Sequence, residues 1–254
     1  MSKPARDTIF IGPRPISTFP PFNRSPFKPI GDIMYRHFED ELQQLKEKLL
    51  RMSNLVEEAI SMSIKSLVER DAGLAQRVLD QDDLIDGPEI EVDELCLKLL
   101  ALQQPQARDL RFIAGSMKIV NDLERMGDLA VNIAHRSLDL LKVPLLKPLI
   151  DIPRMAKSAQ GMLKDSLNAF VNNDVQLAKE VCRRDDEVDQ LNVQIFRELL
   201  TYMLQDPSSV QRAVDLILVA KSLERIADHS TNIAEDVIYI VEAKVVKHHM
   251  DDVA

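Results

Sequence analysis

The sequence is poor in the residues that build turns, disulfides and aromatic cores. Its 254 residues include 7 glycines, 3 tyrosines, 2 cysteines and no tryptophan. Cys96 and Cys182 form no CxxC pair, so a disulfide scaffold is not expected; they fit a reducing cytoplasm as small buried apolar residues. The longest stretches without a charged residue, Leu99 to Ala107 and Pro15 to Asn23, have nine residues, whereas a membrane-spanning helix needs about 20. We therefore expect no membrane insertion, and no secretory signal is recognisable.

Positive charge is scarce as well. The chain has 32 lysines and arginines against 41 aspartates and glutamates, which gives a formal net charge of −9. An acidic chain of this kind repels a phosphate backbone, so general nucleic-acid binding is excluded as a function.

Prolines and phenylalanines are concentrated at the start of the chain. Seven of the 13 prolines and four of the eight phenylalanines (Phe10, Phe19, Phe22 and Phe27) fall in the first 30 residues. No helical period is present there, so the composition predicts an extended arm over residues 1–31. The remainder is rich in Leu, Ala, Met, Glu and Lys, which favour helices, and predicts an almost entirely α-helical body.

The first half of the body predicts three helices. Apolar residues at spacings of three and four indicate one long amphipathic helix over about 33–69. A second helix, over about 72–102, is predicted to start at the cap Asp71. Gly87-Pro88 lies inside this helix and is expected to kink or split it, because proline removes a helix hydrogen bond. A third helix is predicted over about 105–141.

The second half repeats this scheme. Helices are predicted over about 153–171, 174–204 and 207–246. Asp151 and Asp174 are predicted to cap the first two of them.

Together the two halves predict an all-α fold of two tandem three-helix bundles, related by an internal repeat and packed through their apolar stripes. The predicted units are an arm (1–31), a first bundle (32–142), a linker (143–151), a second bundle (152–247) and a tail (248–254).

A sequence repeat carries the acidic residues of interest. LERMGDLAVNIA at Leu123 to Ala134 and LERIADHSTNIA at Leu223 to Ala234 agree at seven of twelve positions, 100 residues apart. An E/DxxxD pair lies inside each string, and a second such pair lies upstream of it. The four pairs are Glu89 with Asp93, Glu124 with Asp128, Asp185 with Asp189, and Glu224 with Asp228.

This spacing predicts metal sites. Residues four apart share one face of a helix, and like charges placed there repel unless something neutralises them. Carboxylate oxygens suit hard cations, and two facing helices supply four of them. We therefore expect one cluster from the two pairs of each half, with two or more ions bridged by water or hydroxide. Iron or manganese is expected, with magnesium or zinc as alternatives, although all-oxygen ligation disfavours zinc.

Two other interpretations stay open. With 41 acidic residues, roughly six such pairs arise by chance, and most would lie on solvated helix faces; the chain would then be a structural helical adaptor without metal. A di-iron oxidase or ferritin-like storage protein is a further alternative, but those sites use Glu-x-x-His. Gly127 and Ala227 occupy the positions where that motif requires histidine.

The residues around the repeated motif have less definite roles. Arg125 and Arg225 adjoin the acids, as partners of the metal ligands or in surface ion pairs. Asn132 and Asn232 lie on the acidic stripe. Their amide oxygens either complete the ligand shell of a metal or hold a ligand water, or the side chains form interhelical hydrogen bonds. His135 is expected to be partly exposed and not a ligand, since Glu235 replaces it in the second half.

Over residues 34 to 246 the sequence resembles the PhoU family, accessory and regulatory proteins of bacterial phosphate uptake. The resemblance rests on the doubled E/DxxxD pattern, the two LERxxDxxxNIA strings and QPQARDLR at Gln104 to Arg111. It implies two tandem three-helix bundles, multinuclear metal clusters on the acidic motifs and no catalytic turnover. The arm is longer than the family pattern requires, and Gly87-Pro88 interrupts a helix that the pattern keeps unbroken.

The resemblance also implies partners. Similar proteins link the cytoplasmic subunits of the high-affinity phosphate ABC transporter to a phosphate-sensing histidine kinase and hold signalling off when phosphate is plentiful. A negative regulator in signal transduction is therefore expected, as a homodimer, cytoplasmic and peripheral at the inner membrane through its partners.

Overall fold

The computed structural model describes residues 30–244, which form seven helices and no strand. They are α1 (Ile30–Glu69), α2 (Ala72–Asp80), α3 (Asp83–Gln103), α4 (Ala107–Leu141), α5 (Asp151–Asn172), α6 (Val175–Gln205) and α7 (Val210–Glu242). A 3-10 turn, Pro207–Ser209, precedes α7. The predicted all-α class is confirmed over this range.

Two of the three predicted helix caps are present. The Asp71 carboxylate accepts hydrogen bonds from backbone amides at the start of α2, the shorter at 2.7 Å, and Asp174 accepts one from the Leu177 amide at 3.0 Å. The prediction for Asp151 was wrong, because this residue is already the first helical residue of α5. Its carboxylate instead accepts a hydrogen bond from Gln194 of α6 at 3.3 Å, so it ties two helices together.

The break in the second helix lies earlier than predicted. α2 ends at Asp80 and α3 begins at Asp83, whereas Pro88 lies inside α3. The proline forfeits one hydrogen bond, to the carbonyl four residues before it in the first turn of α3. Because the interruption falls at residues 81–82 and α3 runs unbroken from Asp83 to Gln103, Glu89 and Asp93 share one continuous helix.

The helices form two layers. In the front layer α3, α4, α7 and α6 lie side by side in that order; α1 packs behind α3 and α4, and α5 behind α7 and α6. α4 and α7 run antiparallel, since Lys118 pairs with Asp236 and Arg136 with Asp215. The arrangement is that of two three-helix bundles related by a pseudo-twofold axis between α4 and α7, with α2 and α3 as one broken helix.

The two bundles share one hydrophobic core. Phe112 of α4 stacks on Phe170 of α5, with ring centroids 5.0 Å apart. α4 also approaches α7 closely at Gly115, where an added Cβ would lie 2.5 Å from the Ile240 side chain. This continuity from one bundle to the other is what the paired apolar stripes predicted.

The remaining boundaries agree closely with the sequence. α1 begins three residues before the predicted start, and the connection between the bundles covers residues 142–150. Both cysteines are free and buried, as predicted. The first 29 residues of the predicted arm and the whole predicted tail lie outside the described residues. Of the helices described, none is long and apolar enough to cross a membrane.

Candidate functional site

All four acidic pairs lie on the four helices of the front layer. α3 carries Glu89 and Asp93, α4 carries Glu124 and Asp128, α6 carries Asp185 and Asp189, and α7 carries Glu224 and Asp228. Every pair falls within a continuous helix, so each places two carboxylates on one face. All eight residues retain some exposure to solvent. We call the four residues of α3 and α4 the first cluster and those of α6 and α7 the second cluster.

The structure brings the carboxylates of the second cluster close enough to interact electrostatically. Burial raises the pKa of Asp185 to about 6, and the negative charges of Asp228, Asp189 and Glu224 contribute to the shift. The pKa values of Asp189 and Asp228 are also raised, first by burial and then by the charge of Glu224. The fold therefore holds like charges together across two helices, at a cost that protonation or a bound cation would relieve.

Neighbouring side chains fix the second cluster at the α6–α7 contact. Asn192 of α6 donates a hydrogen bond to Glu224 of α7 at 3.4 Å. Lys221, one turn before Glu224, also donates to that carboxylate. Oδ1 of Asp185 is buried and has no hydrogen-bond partner among the described residues. An anionic oxygen in this position lacks the compensation that buried polar atoms normally have.

The first cluster differs in how its charges are compensated. Arg125 bridges the two acids of α4, with nitrogen-to-oxygen distances of 3.4 Å to both Glu124 and Asp128. On α3, Oδ1 of Asp93 is buried and has no hydrogen-bond partner in the part of the chain that the structure describes, as is the case for Oδ1 of Asp185 in the second cluster. The charge of Asp93 adds to burial in raising the pKa of Cys96 to about 12.

The donor set at both clusters fits a hard cation in chemistry, because every predicted ligand atom is a carboxylate oxygen. Two of these oxygens are buried and have no hydrogen-bond partner among the described side chains, one in each cluster. As those side chains lie, no three histidines, cysteines or acids among them converge closely enough to hold a metal ion. The metal assignment of the eight residues therefore stays a prediction.

One cross-bundle contact beside the clusters was not predicted. Nδ1 of His229 lies 2.8 Å from Oδ1 of Asp122, and Asn232 donates to the same oxygen at 3.5 Å. Asn232 thus takes the interhelical role that the sequence left open. His135 is exposed, as expected. No local pattern marks Asp122, because its partner is 107 positions away in the chain.

Ion pairs across the α4–α7 interface were also missed. Asp236 and Asp215 are buried, and they accept from Lys118 at 2.9 Å and from Arg136 at 3.4 Å. Their partners are more than 70 residues distant, so sequence spacing gives no signal for them. These pairs join the two bundles rather than the two clusters.

Comparison with known proteins agrees with this architecture. The model of the PhoU domain matches residues 49–137 and 152–237, one match in each bundle. A phosphate-specific transport system accessory protein PhoU homolog of Aquifex aeolicus is 46% identical over 208 residues, covering 82% of this chain and 94% of that protein. The corresponding protein of Pseudomonas putida is 39% identical and covers 84% of each chain.

Solved structures show the same fold. The crystal structure of PhoU from Pseudomonas aeruginosa superposes with a TM-score of 0.79 at 39% identity, over 82% of this chain and all of that one. The phosphate transport system regulatory protein PhoU from Streptococcus pneumoniae gives a TM-score of 0.76 at 29% identity, over 83% of this chain and 99% of that one. The duplicated acidic helices, the tandem bundles and these matches together place the chain in the PhoU family.

Proposed function

We propose that this protein is a metal-binding regulatory adaptor of phosphate homeostasis. Relatives that cover most of its length are accessory proteins of the phosphate-specific transport system, and a similar solved structure is a regulatory protein of phosphate transport. In this proposal the chain is a negative regulator without catalytic turnover. It connects the cytoplasmic subunits of a phosphate ABC transporter to a phosphate-sensing histidine kinase, as a homodimer held at the inner membrane by these partners.

The second cluster carries the metal part of the proposal. Burial and the charges of neighbouring carboxylates raise the pKa values of Asp185, Asp189 and Asp228, and a buried oxygen of Asp185 has no partner among the described residues. A bound cation would neutralise this charge and link α6 to α7. The residues that would hold it are Asp185, Asp189, Glu224 and Asp228, with Glu89, Asp93, Glu124 and Asp128 as their equivalents in the first bundle.

Metal would act here on stability and shape. An ion that binds only the folded chain stabilises it in proportion to the logarithm of its concentration over Kd. Because the proposed ligands of each cluster come from two neighbouring helices, α3 with α4 and α6 with α7, ion binding would stiffen both outer helix pairs of the front layer. The surfaces presented to a partner would then depend on metal occupancy.

Metal content after extensive dialysis tests the site. We expect the unaltered protein to retain iron or manganese, and a Glu224→Ala/Asp228→Ala variant to lose the share held by the second cluster. Glu180→Ala/Glu187→Ala is the matched control: it also removes two acids, but these form surface pairs with Arg183 and Arg154. Equal metal content in all three proteins would refute the assignment.

Affinity purification tests the adaptor role. From cells grown with abundant phosphate, the tagged full-length protein is expected to recover transporter subunits and the histidine kinase. Cells starved of phosphate should yield a different ratio of the two. Absence of both partners under both conditions would contradict the adaptor role, whatever the metal content.

A further inference from the structure

α3 combines strong acidity with exposed apolar side chains. It has six acidic residues and one lysine in 21 positions, a net charge of 1 − 6 = −5. Three of its large apolar side chains are mostly exposed: Ile90 at 59%, Leu97 at 58% and Leu102 at 69%. Isolated apolar residues on a surface are common, but several on one acidic helix suggest a contact surface.

These side chains lie on a face of α3 that is distinct from the acidic pair. At 100° per residue, Ile90, Glu94, Leu97 and Ala101 fall within an arc of about 60°, and Glu94 and Ala101 are exposed too. Leu102 lies at the end of the helix, about 80° beyond Glu94 on the side toward α1. Glu89 and Asp93 lie about 100° further round, on the side toward α4. We call Ile90, Glu94, Leu97, Ala101 and Leu102 the outer face of α3.

α1 extends past the C-terminal end of α3. Glu41, the twelfth residue of α1, accepts hydrogen bonds from Lys98 at 2.8 Å and from Gln103 at 3.2 Å, both near the end of α3. Further along, Lys48 of α1 pairs with Glu91 of α3, so the two helices are antiparallel. From Glu41 back to Ile30, α1 continues for 11 residues, about 16 Å, beyond this contact. The segment before α1 is therefore attached on the same side of the molecule as the exposed Leu102, at about that distance from the end of α3.

The segment before α1 complements the outer face in charge and in apolar character. Residues 1–29 contain five basic residues and one aspartate, a net charge of +4, whereas the rest of the chain carries −9 − 4 = −13. The segment also contains Phe10, Phe19, Phe22 and Phe27. At about 3.1 Å per residue in a proline-rich extended form, it spans up to about 90 Å. α3 is only about 30 Å long, so the segment can return along its whole length.

We propose that residues 1–29 dock in cis on the outer face of α3. The phenylalanines cover Ile90, Leu97 and Leu102, and the basic residues lie opposite the acids of the helix. A second apolar surface, formed by Phe196, Leu200, Leu204 and Val210, is larger, but it lies at the opposite end of the front layer, and α6 carries only 4 − 6 = −2. Charge and the point of attachment therefore favour α3.

Thiol labelling tests the proposal on the full-length protein. A single reactive thiol is introduced by Glu94→Cys, and its rate of reaction with a maleimide is compared between the natural segment and one in which the four phenylalanines are replaced by serine. Cys96 and Cys182 give little background, because burial raises the pKa of both to about 12. We expect the serine replacements to raise the rate about fivefold, as for a segment docked about four-fifths of the time. Added salt should raise it also.

Two further thiol positions make the outcome specific. Ala101→Cys on the same face should give the same increase, even if the Glu94→Cys protein folds poorly. Leu204→Cys on the other apolar surface should show none. The proposal would be overturned if the labelling rates at positions 94 and 101 were the same with the natural and the serine-substituted segment. Protection of position 204 by the natural segment instead would also overturn it. Protection that grows with protein concentration would assign the contact to a second copy of the chain and would overturn docking in cis.

Discussion

Removing one charge from the second cluster should stabilise the metal-free protein. In Asp185→Asn the side chain keeps its shape and loses the carboxylate whose pKa is raised to about 6 from 3.8. A carboxyl group with a raised pKa in the folded state contributes stability fully below its unfolded pKa, and that stability is lost as pH rises through the folded pKa. The asparagine variant has no carboxylate to ionise and does not lose this stability. The free energies of unfolding of the two proteins should therefore diverge between about pH 4 and pH 7.

The size of the effect follows from the shift. About two pKa units at 1.36 kcal/mol each give an upper bound of about 3 kcal/mol. Partial exposure of the cluster screens the interaction, so we expect about 1–3 kcal/mol at pH 7.5. The variant also relieves the carboxylates that interact with Asp185, above all Asp228.

Urea denaturation in a chelator measures this directly. We expect the variant to unfold at higher urea than the natural protein at pH 7.5 and at nearly the same urea at pH 4. Glu58→Gln is the control, because it removes an exposed carboxylate of α1, in the bundle that does not carry the second cluster. Adding manganese should reverse the order at pH 7.5, since the natural protein gains binding free energy through a ligand that the variant lacks.

Each half of the experiment has its own refutation. If Asp185→Asn is destabilised in chelator at pH 7.5 by as much as at pH 4, the carboxylates of the second cluster do not repel as described. If manganese stabilises both proteins equally, Asp185 is not a ligand, although the electrostatic reasoning stands.

Two further substitutions test the contact between the bundles. Lys118→Met leaves the buried Asp236 without this ion pair and should lower the free energy of unfolding by about 2–4 kcal/mol; Lys142→Met, which breaks an exposed pair with Asp139, should cost less than about 1 kcal/mol. Comparable losses in urea titrations would show that Asp236 is not buried. Gly115→Ala should lower the free energy of unfolding by about 1–2 kcal/mol. Its added methyl group would overlap the buried side chain of Ile240 in α7, and this cost exceeds the gain from the higher helix propensity of alanine. A raised melting temperature for this variant would disprove the close approach of α4 and α7.

The sequence predicted most of the helices because their signals are local. Apolar spacing and caps such as Asp174 located α1, α4 and α6 to within a few residues. Two local signals were misleading. Asp151 is a typical cap, but its carboxylate accepts a hydrogen bond from Gln194 of α6 instead. Gly87-Pro88 predicted a break that falls at residues 81–82, with Pro88 inside α3.

By itself the sequence determined the all-α class, the repeat and the four acidic pairs, because periodicity and an offset of 100 residues are visible along the chain. The tertiary structure alone decided which carboxylates lie close enough to interact electrostatically. It also decided that Asp122 meets His229 and that ion pairs fasten α4 to α7. These contacts join residues more than 70 positions apart, and the packing angle of two helices, which no local pattern encodes, sets which side chains meet.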